Sequence, residues 1–176
     1  MVLYRITHVY IGFVIGLFIG INDIDSLLNG LIGAIGGFIP DIDVGFKHRK
    51  TLHNIFVPFT IALSLLITNT YLIPMQWRIH SYNYLISFTL GWVLHLVTDS
   101  LTIKGVYPLY PLIRNFRLRF AKFRSNSLLI NTIMILLASI ILGYWFYERN
   151  IYTKIDEYLK IVNVFKTLKT TLSMKN

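Results

Sequence analysis

Long apolar runs separated by short polar links confine this chain to helices packed in an apolar surrounding. Five such segments can be drawn, at about 7–21, 27–40, 55–73, 84–103 and 128–147. A helix needs about 20 apolar residues to cross a hydrocarbon core of about 30 Å, and the segment at 55–73 meets that length without a charge. The segment at 27–40 is shorter and carries Gly30, Gly33, Gly36 and Gly37. Glycines at such spacing let backbones approach closely, so it is expected to pack inside the bundle or to cross only in part. Pro40 should stop it. Pro58 falls in the first turn of the next helix, where proline is tolerated.

Composition agrees with this pattern. A 55% hydrophobic content and a mean hydropathy of +0.59 are high for a soluble fold. The balance of 17 Lys and Arg against 8 Asp and Glu gives +9. On a soluble domain that excess would suggest nucleic acid, but here the cations flank apolar runs, so membrane lipids with anionic head groups are the expected partners and no nucleic acid is. There are no cysteines, which excludes disulfides, thiolate zinc sites and cysteine nucleophiles. The first apolar segment follows Arg5 and is met by Asn22, Asp23 and Asp25 in place of a small-residue cleavage site, so it reads as a retained helix.

The expected fold is therefore all-α: an integral membrane helical bundle of about four to five transmembrane helices plus a C-terminal amphipathic helix. A membrane-embedded bundle is expected over 1–147, with an amphipathic basic tail over 148–176. In that tail Ile151, Ile155, Tyr158, Leu159, Val162 and Phe165 recur at intervals of three and four between lysines. This suits a helix lying on a membrane surface, or one docking on protein. Lys47, Arg49 and Lys50 in one link, and Lys104 with the basic cluster 114–124 in another, put both links and the amino terminus on the cytoplasmic side. The lysine-rich tail then falls outside, against the rule.

That orientation gathers the polar residues. His8 begins the first helix, Asp41, Asp43, His48 and His53 lie in the first cytoplasmic link, and Asp99 leaves the fourth helix on the same side, with His95 one turn deeper. Residues four apart share a helix face. Seven candidate ligands thus meet one membrane face, and His80 alone of the histidines lies on the other. Each has a plainer reading. His8 suits an interface, Asp41 and Asp43 a helix-ending loop, His48 a head-group contact, His53 a helix cap, and His95 with Asp99 an interhelical hydrogen bond. An ionisable pair inside an apolar helix is costly, which makes the last the strongest functional signal.

These residues carry a resemblance. Thr7-His8, the run Gly36-Gly37-Phe38-Ile39-Pro40-Asp41-Ile42-Asp43, His48-Arg49 with His53, the run His95 to Thr102 and the run Gly105 to Pro111 look like the YdjM-type family of LexA-regulated, membrane-bound metal-dependent hydrolases. The pattern departs at Leu52 and Asn54, where the family favours Thr and Ser, and at Val44, where a histidine is common. The resemblance implies a hydrolase and leaves the substrate open.

Carboxylates and imidazoles suit a divalent metal, zinc or manganese, and seven candidates are more than one four-coordinate zinc requires, so two ions are allowed for. Asp41, Asp43, His53, His95, Asp99 and His8 are the expected metal ligands. His48 is expected as a ligand or general acid, and Arg49 as a forked holder of a phosphate oxygen. With the nearby lysines these point to an anionic, lipid-like phosphoester at the cytoplasmic face of the cell membrane. A metal-ion carrier and a non-catalytic membrane scaffold with a structural metal are the rival readings. Pro108 and Pro111, with Tyr107 and Tyr110, suggest a rigid aromatic anchor beside the site.

Overall fold

The computed structural model describes residues 2–45, 52–120, 124 and 127–173. Among these the regular structure is helical: α1 (Val2–Leu17), α2 (Asp23–Phe38), a 3-10 turn (Ile39–Gly45), α3 (Phe56–Leu72), α4 (Met75–Ser100), α5 (Leu128–Glu148) and α6 (Ile151–Ser173). The chain divides into two compact units, Met1–Ile140 and Ile141–Asn176.

In the first unit α2 packs against both α1 and α4, α1 also touches α4, and α3 lies on α4. Glycine makes this possible. A Cβ at Gly33 would meet the Gly12 carbonyl of α1, one at Gly91 of α4 would meet the Gly33 carbonyl, and one at Gly36 would meet the carbonyl of Phe88. Backbones touch where side chains would normally intervene, as the glycine spacing of α2 led one to expect. Asn22 opens α2 by accepting the Asp25 amide at 2.9 Å.

Helix α4 begins earlier than the sequence pattern suggests. Residues 75–83, expected to be a polar link, form its first turns. Pro74 stands just ahead, at a position where the missing N–H costs nothing, and none of the polar residues that follow breaks a helix.

The interior of this unit is unusually polar. Thr7, His8, Asp25, Ser26, Asn29, His53, Ser87, His95 and Asp99 are all buried, while Ile24, Leu31, Phe59, Leu72, Leu129 and Ile140 are exposed. Thr7 donates to Asn131 at 2.7 Å, and Tyr10 and Ser139 pair at 2.9 Å, tying α1 to the first part of α5. Among the described residues α5 is the helix long and apolar enough to cross a membrane by length and composition, and α1 and α3 are shorter apolar helices.

In the second unit the end of α5 is aromatic, with Trp145 edge-on to Phe146 at 5.4 Å. Asn150, at φ 49°, turns the chain into α6, whose Ile155, Tyr158, Leu159 and Phe165 are exposed.

Candidate metal centre

The loop after residue 51 is fixed at several points. The Trp92 indole donates to the Leu52 carbonyl at 3.2 Å, and the Ile55 amide donates to Pro108 at 3.0 Å. Asn54 accepts the amides of Phe56 and Val57 at 3.0 and 3.1 Å. Asn54 therefore caps the start of α3, the role open to His53 from sequence, and His53 turns inward. The segment containing Pro108 has a structural task here: Val106 pairs with Leu118 across a short bridge and packs with Trp92 and Leu96.

His53 meets residues from several elements. Its Nε2 lies 3.2 Å from His95 Nε2, 3.4 Å from Asp99 Oδ2 and 3.9 Å from Asp41 Oδ1. His95 Nε2 is 3.9 Å from the same Asp41 oxygen, and His8 Nε2 is 3.5 Å from Asp99 Oδ1. The rings of His8 and His95 stack with centroids 3.8 Å apart. His8, His53, His95 and Asp99 are buried, and the Asp41 side chain keeps 14% of its surface.

Backbone and hydroxyl groups orient two of these rings. A carbonyl can only accept, so His95 Nδ1–H donates to the Gly37 carbonyl at 2.8 Å and leaves Nε2 as the bare nitrogen of the neutral ring. The Thr98 hydroxyl has one hydrogen, and the carbonyls of Leu94 and His95, both at 2.9 Å, are placed to take it. Its oxygen then accepts from His8 Nδ1–H at 2.8 Å, so His8 too aims a bare Nε2 at the cluster. Histidines that bind metals are oriented in this way through their second nitrogen.

The donor set fits a divalent cation. Nitrogen and oxygen atoms about 2.1 Å from a tetrahedral ion stand roughly 3.4 Å from one another, close to the His53–His95 and His53–Asp99 separations. Among the described residues two groupings could hold an ion, His8 with Asp41 and His95, and His53 with His95 and Asp99.

The structure thus brings together five of the expected ligands, His8, Asp41, His53, His95 and Asp99. Asp43 lies in the 3-10 turn with its side chain outside the described residues, as are His48 and Arg49. Sequence reasoning passed over Arg5, whose guanidinium donates to the Asp41 carbonyl at 3.2 Å and stands 4.0 Å from its carboxylate. It also passed over Thr98 and the Gly37 carbonyl. The position of Thr98, between His95 and Asp99, was the available signal.

Fold and site define an all-helical protein with a buried histidine–aspartate cluster at one end of α4. Residues 3–166 match the family described as YdjM inner membrane protein, and the chain belongs to that family. No curated protein and no solved structure matches it.

Proposed function

We propose that this chain is a multi-pass membrane hydrolase that uses one or two divalent metal ions, zinc or manganese, to cleave an anionic, lipid-like phosphoester at the cytoplasmic face. The observation that carries the reading is the convergence of His8, Asp41, His53, His95 and Asp99 at ligand spacing in a buried place. The two groupings overlap at His95, whose one bare nitrogen serves a single ion, so the allowance for a second ion rests on the number of carboxylates and imidazoles gathered here. The polar interior and apolar exterior of the first unit support immersion of several helices, since lipid solvates the outward leucines and isoleucines as well as a protein core would.

An ion held there would polarise a phosphoryl oxygen and lower the pKa of water. The chain's own residues do the rest. Gly37 and Thr98 fix the tautomers of His95 and His8. Asp41, the more exposed ligand, marks the side from which a substrate enters, and Arg5 beside it holds that carboxylate in place and adds positive charge at the entrance. His48 serves as general acid and Arg49 holds a phosphate oxygen, roles drawn from their place in the polar stretch that also carries Asp41 and His53.

A carrier needs a polar route through the bundle. Polar groups do continue past the cluster, since Ser87 donates to Asn29 at 2.6 Å within the α2–α4 contact. Between them and His95, however, Gly91 abuts the Gly33 backbone and Gly36 that of Phe88, which closes the path.

The test is metal analysis of purified protein followed by a hydrolysis screen over phospholipids and soluble phosphoesters. Turnover lost with a chelator and restored by zinc or manganese supports the enzyme. Absence of metal favours the scaffold, and metal without turnover leaves the scaffold or the carrier.

A further inference from the structure

The other end of α4 carries a second polar constellation that the hydrolase reading does not use. Asp25, 4% exposed, accepts His80 Nδ1 at 3.0 Å and the Ile21 amide at 2.9 Å, and Tyr84 also bonds to it. Burial pushes the Asp25 carboxyl up, but these hydrogen bonds and the charge of His80 together hold it below the ordinary carboxylate value. A carboxylate has roughly four acceptor positions, so three donors leave room for one more.

Two open clefts meet here. One, of about 360 Å³, is walled by Asp25, Trp77, His80 and Tyr84; the other, of about 320 Å³, runs between α2, α3 and α4 past Ile32, Leu65 and Phe88. Ser81 and Tyr84 line both. The second cleft is apolar except at its upper end, where Asn69 is 5% exposed. The Asn69 amide nitrogen points to the Arg78 carbonyl at 3.5 Å, which turns Oδ1 the other way, and that oxygen has no hydrogen-bond partner. Asn69 thus keeps this end of the cleft polar, while the wall past Ile32, Leu65 and Phe88 is apolar. Arg78 donates Nε to the carbonyl of Ile73, a residue of the second cleft's wall, at 3.0 Å.

We infer that these joined clefts bind a zwitterionic aminophospholipid: ammonium at Asp25 between Trp77 and Tyr84, phosphate toward Arg78, and one acyl chain between α2, α3 and α4. Charge complementarity selects this occupant. A carboxylate beside aromatic rings recognises a cation, a guanidinium recognises a phosphate, and an apolar cleft of this size takes hydrocarbon. An anionic lipid lacks the partner for Asp25. The site lies within the first unit and is independent of the metal centre.

The experiment is native mass spectrometry of the full-length protein released from nanodiscs holding equal amounts of phosphatidylethanolamine and phosphatidylglycerol with identical chains. The expected result is one retained phosphatidylethanolamine, favoured by about tenfold, the scale of one charge-assisted contact. Asp25→Asn should abolish the preference. Because that change also removes a carboxylate that holds the α1–α2 turn, Ser81→Trp provides a second variant: it fills the shared wall from a partly exposed position and should expel the lipid while the protein stays monodisperse and helical. Equal retention of both lipids, no retained lipid, or unchanged retention in a folded Ser81→Trp protein would each overturn the inference.

Discussion

The Nε2 atoms of His53 and His95 stand 3.2 Å apart, with Asp99 Oδ2 3.4 Å from the first and 4.0 Å from the second. Two ring nitrogens and a carboxylate this close, out of water, are stabilised by a shared cation. Stripping metal should therefore lower the melting temperature. An ion present at a hundredfold over its dissociation constant contributes ~2.7 kcal/mol, and that much should disappear with chelation and return on adding zinc or manganese. In His53→Gln or His95→Gln protein, thermal melts should no longer respond to chelator.

Asp99→Asn keeps the shape of the side chain and removes its charge. Metal-dependent hydrolysis should be abolished while the protein still inserts in membranes. Activity assays on membrane fractions check this, and retained turnover would refute the assignment of Asp99.

Thr98 touches no ion in this scheme and acts through His8. Thr98→Val preserves shape but removes the oxygen that accepts from His8 Nδ1, and metal affinity should fall about 10- to 100-fold, the usual effect of losing such a partner. Thr98→Ser should restore it. Competition titration with a chromogenic chelator distinguishes the two roles, since a role resting only on the methyl group would leave valine unaffected and impair serine.

Much of the centre was legible in the sequence because acids and imidazoles are rare inside apolar runs. His8, Asp41, His53, His95 and Asp99 stood out for that reason, and the positive-inside pattern put them on one face. What escaped was of commoner kinds. A backbone carbonyl such as that of Gly37 has no signature of its own, and Thr98 looks like any helix threonine until His8 is seen beside it. Asn54 and His53 were separable only once the cap was seen. The early start of α4 was hidden because polar residues around His80 resemble a link, when His80 in fact faces Asp25 of α2.

The acid limb of stability should reflect Asp25. Its carboxyl titrates below the usual value in the folded protein, so its contribution is present above the unfolded-state value and is lost as pH falls through the lower folded one. Thermal melts of the chelator-treated protein should decline across that acidic window, and Asp25→Asn should flatten the decline.

Gly91→Ala tests the seam between α2 and α4. The added methyl meets the Gly33 carbonyl, and overpacking of this kind typically costs about 1–3 kcal/mol. Separating the two helices would also draw the Gly37 carbonyl away from His95, so metal content should fall together with the melting temperature. Gly143→Ala, where a Cβ meets nothing within 4 Å, is the matched control and should lower neither.

The bare flanks of α2 make that helix a spacer whose thickness is set by main-chain atoms. Side-chain rotamers, which can repack when a bilayer thins or warms, do not enter the distance between α1 and α4 along this line. The reach from His8 to Asp99 is thereby gauged by peptide groups, so the same grip on a cation should persist through changes of lipid that would loosen a side-chain-packed bundle.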